Sequence, residues 1–248
     1  MVARRLFSTV ALPEEAELLD VLAKILESIF NPQNLIYLRE QHEKEQLAKI
    51  GADLFELLMM FEKVVFTGNR IIETLEDYIE DIVLRGHPPR SLALEGKRII
   101  MLELIHMQIL NIENIFDELN DRRAIKAYVP SEALRKLQEF IWMKKGPLLK
   151  LRRYFDDGYQ FEKTAEYLSK EAMTLVREVD NAIVIFSKEN WDEEKRSRIF
   201  SLFDLSGAKY RLNQIDAEIV NWRCHLREQF DIRKIIIEIH RRSSLLKP

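Results

Sequence analysis

From Leu47 the chain places an apolar side chain in strictly alternating steps of three and four, at Ile50, Leu54, Leu57, Phe61, Val64, Gly68, Ile71, Leu75, Tyr78 and Ile82. Only Gly68 in that series is not apolar. A strand repeats every second residue and cannot produce this spacing, so the run is a helical packing seam of the coiled-coil kind. The phase survives Thr67-Gly68-Asn69, which predicts one long helix over about 33–84, bent at Gly68 rather than interrupted there. Leu58, Met59, Val65, Ile72 and Ile79 lie off the stripe and give that helix more than one neighbour.

The same grammar extends along the chain. Pro13 opens a shorter amphipathic helix that ends near Asn31-Pro32, and Gly86-His87-Pro88-Pro89 breaks the long one. Leu102, Ile105, Ile109, Ile112, Phe116 and Leu119 mark a helix over about 91–120. After Tyr128-Val129-Pro130-Ser131, the positions Leu134, Leu137, Ile141, Leu148, Leu151 and Phe155 keep phase, with Lys144 as the polar member. Gly146-Pro147 kinks or divides that helix, because proline lacks the backbone donor and clashes with the preceding turn. Asp156-Asp157-Gly158 is its expected end. Phe161, Ala165, Leu168, Ala172, Leu175, Val179, Ala182 and Phe186 define the next helix, and Ile199, Leu202 and Phe203 a short one within 192–205. A last helix runs from Ser206-Gly207 towards Arg242. The expectation is an all-α protein, an elongated bundle of about five long, partly kinked antiparallel helices plus two short ones. It reads as a single helical domain over 1–248, with any sub-division near 121–130, between an acidic lobe 1–120 and a basic lobe 131–248.

That division follows the charge. Residues 1–127 carry 15 basic and 22 acidic side chains, and residues 128–248 carry 23 and 19. Mutual neutralisation of the halves accounts for this, because a net charge of −3 is not that of an evident nucleic-acid binder. With 7 glycines in 248 residues, the chain contains no Gly-x-Gly-x-x-Gly, Walker-type loop or Gly-x-Ser-x-Gly elbow. The single cysteine, Cys224, excludes an intramolecular disulfide and points to a reducing, cytoplasmic setting. The opening MVARRLFSTVA is basic and free of acid, as organelle transit peptides are, but is short for one. No uninterrupted apolar run approaches the ~20 residues of a membrane span, so no transmembrane segment is expected.

Candidate chemistry is sparse. Glu103 and His106 form a Glu-x-x-His pair, the unit that di-iron bundles use twice, but no second pair exists, so no metal site and no cofactor is expected. Cys224 and His225 leave a helix about 100° apart and cannot act as nucleophile and base, which leaves a packed thiol. Lys144, Lys145, Lys150, Arg152 and Arg153 surround Gly146-Pro147, with Trp142, Tyr154 and Phe155 close by. Cations among aromatics suit single-stranded nucleic acid or phosphate headgroups, although a solvated face paired with Asp156 and Asp157 explains them as well.

On the last helix the seam reads Ile215, Ile219, Trp222, Leu226, Gln229, Arg233, Ile236 and His240, which places Arg233 and His240 on the packing face. Their spacing resembles the Arg-x(4–6)-His signature of the HEPN superfamily, over the eight residues from Arg233 to His240, with Lys234 fitting the polar residue that commonly follows the arginine. That resemblance implies an all-helical, metal-independent ribonuclease, or an inactive relative, with Arg233 and His240 as the catalytic pair at a dimer cleft.

The seams themselves point elsewhere, to a non-enzymatic scaffold or adaptor that touches a protein partner or a second copy of itself through helix faces. The HEPN-like ribonuclease is one rival, and a module that binds anionic membrane surfaces through its basic patches is another.

Overall fold

A computed structural model describes residues 17–89, 91–143, 147–163, 170–187, 192–203, 205 and 207–245. Among these the protein is all-α, with eleven helices and no strand. In chain order they are α1 (Glu17–Phe30), α2 (Pro32–Glu40), α3 (Lys44–Arg85), α4 (Glu95–Asp121), α5 (Arg123–Lys126), α6 (Ser131–Met143), α7 (Pro147–Lys163), α8 (Lys170–Ser187), α9 (Glu193–Leu202), α10 (Ala208–Gln229) and α11 (Ile232–Leu245). They form two compact units, each drawn from three stretches of chain; the 121–130 link falls inside the second.

The long seam is real. From Ile50 to Ile82 every member of the α3 stripe is buried, Gly68 included, and the helix passes through Gly68 unbroken. Of the off-stripe residues, Leu58, Val65, Ile72 and Ile79 are buried while Met59 is exposed. The expected start near residue 33 is wrong, however, because the backbone leaves the helix at Gln41–Glu43. Arg39 to Gln46 holds eight successive residues with no apolar side chain, so no burial holds that turn in place. His42 Nδ1 lies 2.9 Å from the Leu38 carbonyl, engaging one of the terminal acceptors of α2.

The first unit comprises Met1–Glu17, Thr67–Ile109 and Met143–Lys209. Its centre is an edge-to-face aromatic cluster. Phe155 lies 5.0 Å from both Tyr78 and Tyr154, and Tyr154 lies 5.3 Å from Phe203. The Tyr78 hydroxyl donates to the Pro89 carbonyl and that of Tyr154 to Asp180 Oδ1 at 3.0 Å, so both buried hydroxyl protons are committed. Buried Asp81 accepts from Lys97 and Arg85, each at 2.9 Å. The hydrogen bond from Lys97, opposed by burial, holds its carboxyl below the ordinary aspartate value. Helix α7 continues through Gly158 to Lys163, past its expected end, since an acidic pair and a lone glycine weaken a helix without stopping it. Ala165 and Leu168, expected on the following helix, lie outside the described residues.

The second unit comprises Leu18–Phe66, Leu110–Trp142 and Tyr210–Pro248. Leu22, Ile25, Leu26, Ile29 and Phe30 of α1 are buried, and Phe30 stacks on Trp222 of α10 at 6.1 Å. Gly51 of α3 has α11 against it: a Cβ there would sit 2.8 Å from Ile235 side-chain carbons.

On α4 the buried stripe is Met101, Ile105, Gln108, Ile112, Ile115 and Leu119, with Leu104 beside it. The expected stripe shared only Ile105, Ile112 and Leu119, because polar Gln108 holds a buried position that the apolar pattern gave to Ile109.

Candidate functional site

The α10 seam is buried as expected at Ile215, Ile219, Trp222 and Leu226, but the next inward residue is Phe230, not Gln229. The backbone leaves the helix at Phe230–Asp231, and Asp231 Oδ1 accepts from the Arg233 amide at 3.0 Å to begin α11. That interruption resets the phase. Ile235 and Glu238 now face inward, with Ile239 and Arg242 half-buried, whereas Arg233 and His240 are exposed. The placement of Arg233 and His240 on the packing face is therefore overturned. They share the outer side of α11, about 10 Å apart along its axis, and neither side chain has a hydrogen-bond or ion-pair partner among the described residues. Ile236, Ile237 and Lys234 are exposed on the same helix.

The inner side of α11 carries an ion network that sequence reasoning missed. Glu238, buried, accepts from Arg241 at 2.8 and 2.9 Å and from Arg242 at 3.2 Å. Arg242 continues to Asp53 at 2.7 Å, to Glu56 at 3.2 Å and to the Lys49 carbonyl at 3.2 Å. Arg122, just past α4, donates to the Asp53 carbonyl, to Glu56 at 2.8 Å and to Glu118 at 2.6 Å. Hydrogen bonds from Arg241, opposed by burial and reinforced by Arg242, pull the Glu238 carboxyl down to about 2. For Arg242, burial opposes the charge, but Asp53, Glu238 and Glu56 outweigh it and raise its pKa. Asp53, Glu56, Glu118 and Glu238 each accept from at least one guanidinium group. The network is a staple. Its one sequence signal was the acid pair Asp53 and Glu56, each set one residue before a seam leucine.

The other candidates disperse. Lys144 and Lys145 lie outside the described residues. Lys150 is half-buried, and Arg152 and Arg153 are exposed, but Tyr154 and Phe155 belong to the aromatic core, so they offer no stacking face to a ligand. Cys224 is exposed rather than packed. Glu103 and His106 are exposed, and no group of three metal-ligating side chains occurs among the described residues.

What α4 does display is an apolar outer face. Ile99 is 44%, Ile100 46%, Met107 47% and Leu110 41% exposed. With Glu103 and His106 they fall within an arc of about 120° on one side of the helix. The stretch Leu92–Asp121 is also the one helix among the described residues long and apolar enough to cross a membrane, with 33% of its best window buried. The sequence expectation missed this because the apolar residues are interspersed with Glu103, Gln108 and Glu113 rather than contiguous.

No protein-family model, curated protein or solved structure matches the chain.

Proposed function

We propose that the chain is a non-enzymatic helical scaffold or adaptor that acts through contacts between helix faces, with another protein or with itself. The observation that carries this reading is the outer face of α4. Single exposed apolar side chains are ordinary, but Ile99, Ile100, Met107 and Leu110 gathered on one helix face support a contact role for it. A membrane-surface role is less well supported there, because the face holds Glu103, and the nearby cations Lys97 and Arg98 are bound to Asp81 and Glu95. Photo-cross-linking tests the reading. A photoreactive residue at Met107, installed in the cells of origin, is expected to yield discrete protein adducts that vanish when Ile99 and Ile100 are changed to lysine. The same residue at exposed Asp216 of α10 is the control. Adducts equal at both positions, or none at Met107, would contradict it.

A second reading rests on the exposure of Arg233 and His240 on the outer side of α11, with exposed Lys234 next to Arg233 in the chain, which leaves them open to an RNA phosphate. An RNA cleavage assay decides it: activity that persists undiminished in Arg233→Ala and His240→Ala rules out this pair.

A further inference from the structure

Four Arg-Arg pairs occur in the chain, at 4–5, 122–123, 152–153 and 241–242. The residues two places beyond them are Phe7, Ile125, Phe155 and Ser244, so only the last pair precedes a hydroxyl, which Leu245 follows. We propose that Ser244 is a phosphorylation site for a serine kinase that recognises arginines, and that its phosphate draws Arg241 away from Glu238.

Transfer needs an accessible hydroxyl and neighbouring cations that an acidic kinase cleft can hold. Ser244 is exposed, and its hydroxyl donates to the Arg241 carbonyl at 2.8 Å, within the last turn of α11. Helix ends open more readily than helix interiors, so the segment can extend into a cleft at small cost. Arg241, three residues before the target, is 54% exposed and bonds Glu238 at 2.8 and 2.9 Å. Arg242, two before it, is half-buried on Asp53 and Glu56. Arg241 thus presents its charge beside the hydroxyl while Arg242 keeps α11 in place. In the transfer, Ser244 Oγ forms a bond to the γ-phosphorus of Mg-ATP as the bond from that phosphorus to the β,γ-bridging oxygen breaks. ADP leaves, and the hydroxyl proton passes to the kinase's carboxylate base.

The product places about −1.5 to −2 charges at a helix C-terminus, where the dipole repels them. Arg241 and His240 lie three and four residues before Ser244, the spacings at which helical side chains meet. Both are exposed. The phosphate therefore competes with Glu238 for Arg241, while Glu238 keeps its bond from Arg242 at 3.2 Å. Modification loosens the staple without dismantling it.

The test incubates the folded chain with Mg-ATP and a purified kinase that requires arginines two and three residues before its target. Peptide fragmentation then locates the phosphate, and circular dichroism checks that each variant is folded. Ser244 is expected to be labelled, Arg241→Ala to slow its labelling about tenfold or more, and Arg241→Lys to restore part of the rate. No phosphate on Ser244, or labelling of Ser244 as fast in Arg241→Ala as in the wild type, overturns the site. Amide hydrogen exchange in the last two turns of α11 is expected to quicken at least about threefold on phosphorylation. Exchange that phosphorylation leaves unchanged overturns the coupling to Glu238.

Discussion

Arg242 Nη1 lies 2.7 Å from Asp53 Oδ1, joining residues 189 positions apart and fastening α11 to α3. Arg122 reaches the same segment from the end of α4, bonding Glu56 at 2.8 Å. The Arg122 side chain is only 13% exposed and serves three acidic or carbonyl partners. Arg122→Ala is expected to cost about 2–4 kcal/mol in a urea unfolding series, because Glu118 loses its guanidinium and Asp53 and Glu56 are left to Arg242. Arg122→Lys is expected to recover little, since one ammonium cannot span the same partners.

Acid should loosen the second unit through Glu238. Its carboxyl is held at about 2 in the folded protein, against an ordinary value of 4.5. Its contribution is therefore whole above about 4.5 and is lost as pH falls towards 2. Asp81 of the first unit, also held low, adds to the same acid slope. Glu238→Gln is expected to be less stable than wild type at pH 7 and to lose less on going to pH 3. Urea midpoints at the two pH values check both statements.

Gly51 of α3 and Gly96 of α4 should respond with opposite signs. A Cβ on Gly51 meets Ile235 at 2.8 Å and Phe230 at 3.3 Å, whereas one on Gly96 meets nothing within 4 Å. Gly51→Val is expected to lower stability by about 2 kcal/mol through overpacking. Gly96→Ala is expected to raise it by about 0.5 kcal/mol through backbone entropy. Thermal melts of the two variants give the comparison.

Removing the Tyr154 hydroxyl strips the half-buried acceptor Asp180 Oδ1 of a donor at 3.0 Å. Tyr154→Phe leaves the ring contacts with Phe155 and Phe203 in place. The expected loss is about 1–2 kcal/mol in chemical denaturation, with near-ultraviolet dichroism retained.

How much of this was legible in the sequence depended on what kept each helix in phase. The α3 seam could be read from Ile50 to Ile82 because packing and periodicity agree at every step. The stripe on α4 was read one residue off at alternate positions, since a buried polar residue, Gln108, is invisible to an apolar pattern. The error at α11 has a different cause. Phe230–Asp231 interrupts the helix without glycine or proline, and the cap signal of Asp231 before Ile232 was outweighed by a continuous-looking seam. Arg233 and His240 were consequently set inward, and the Glu238 and Arg242 network went unseen. Tertiary ion pairs such as Arg242 with Asp53 leave no local trace to read. The exposed stripe on α4 emerged only once the buried side was known, because Ile99, Ile100, Met107 and Leu110 look like core residues in the sequence.

Photo-cross-linking from Met107 of α4 in the cells of origin bears on the helix-face reading without intermediaries. Ile99, Ile100 and Met107 are roughly half exposed, so an Ile99→Lys, Ile100→Lys variant is expected to keep its helical content and lose little stability. The expected result is a set of discrete protein adducts from Met107 that this variant loses and that the same photoreactive residue at exposed Asp216 does not give. No adducts at Met107, or adducts that persist in the variant, would contradict a contact through α4.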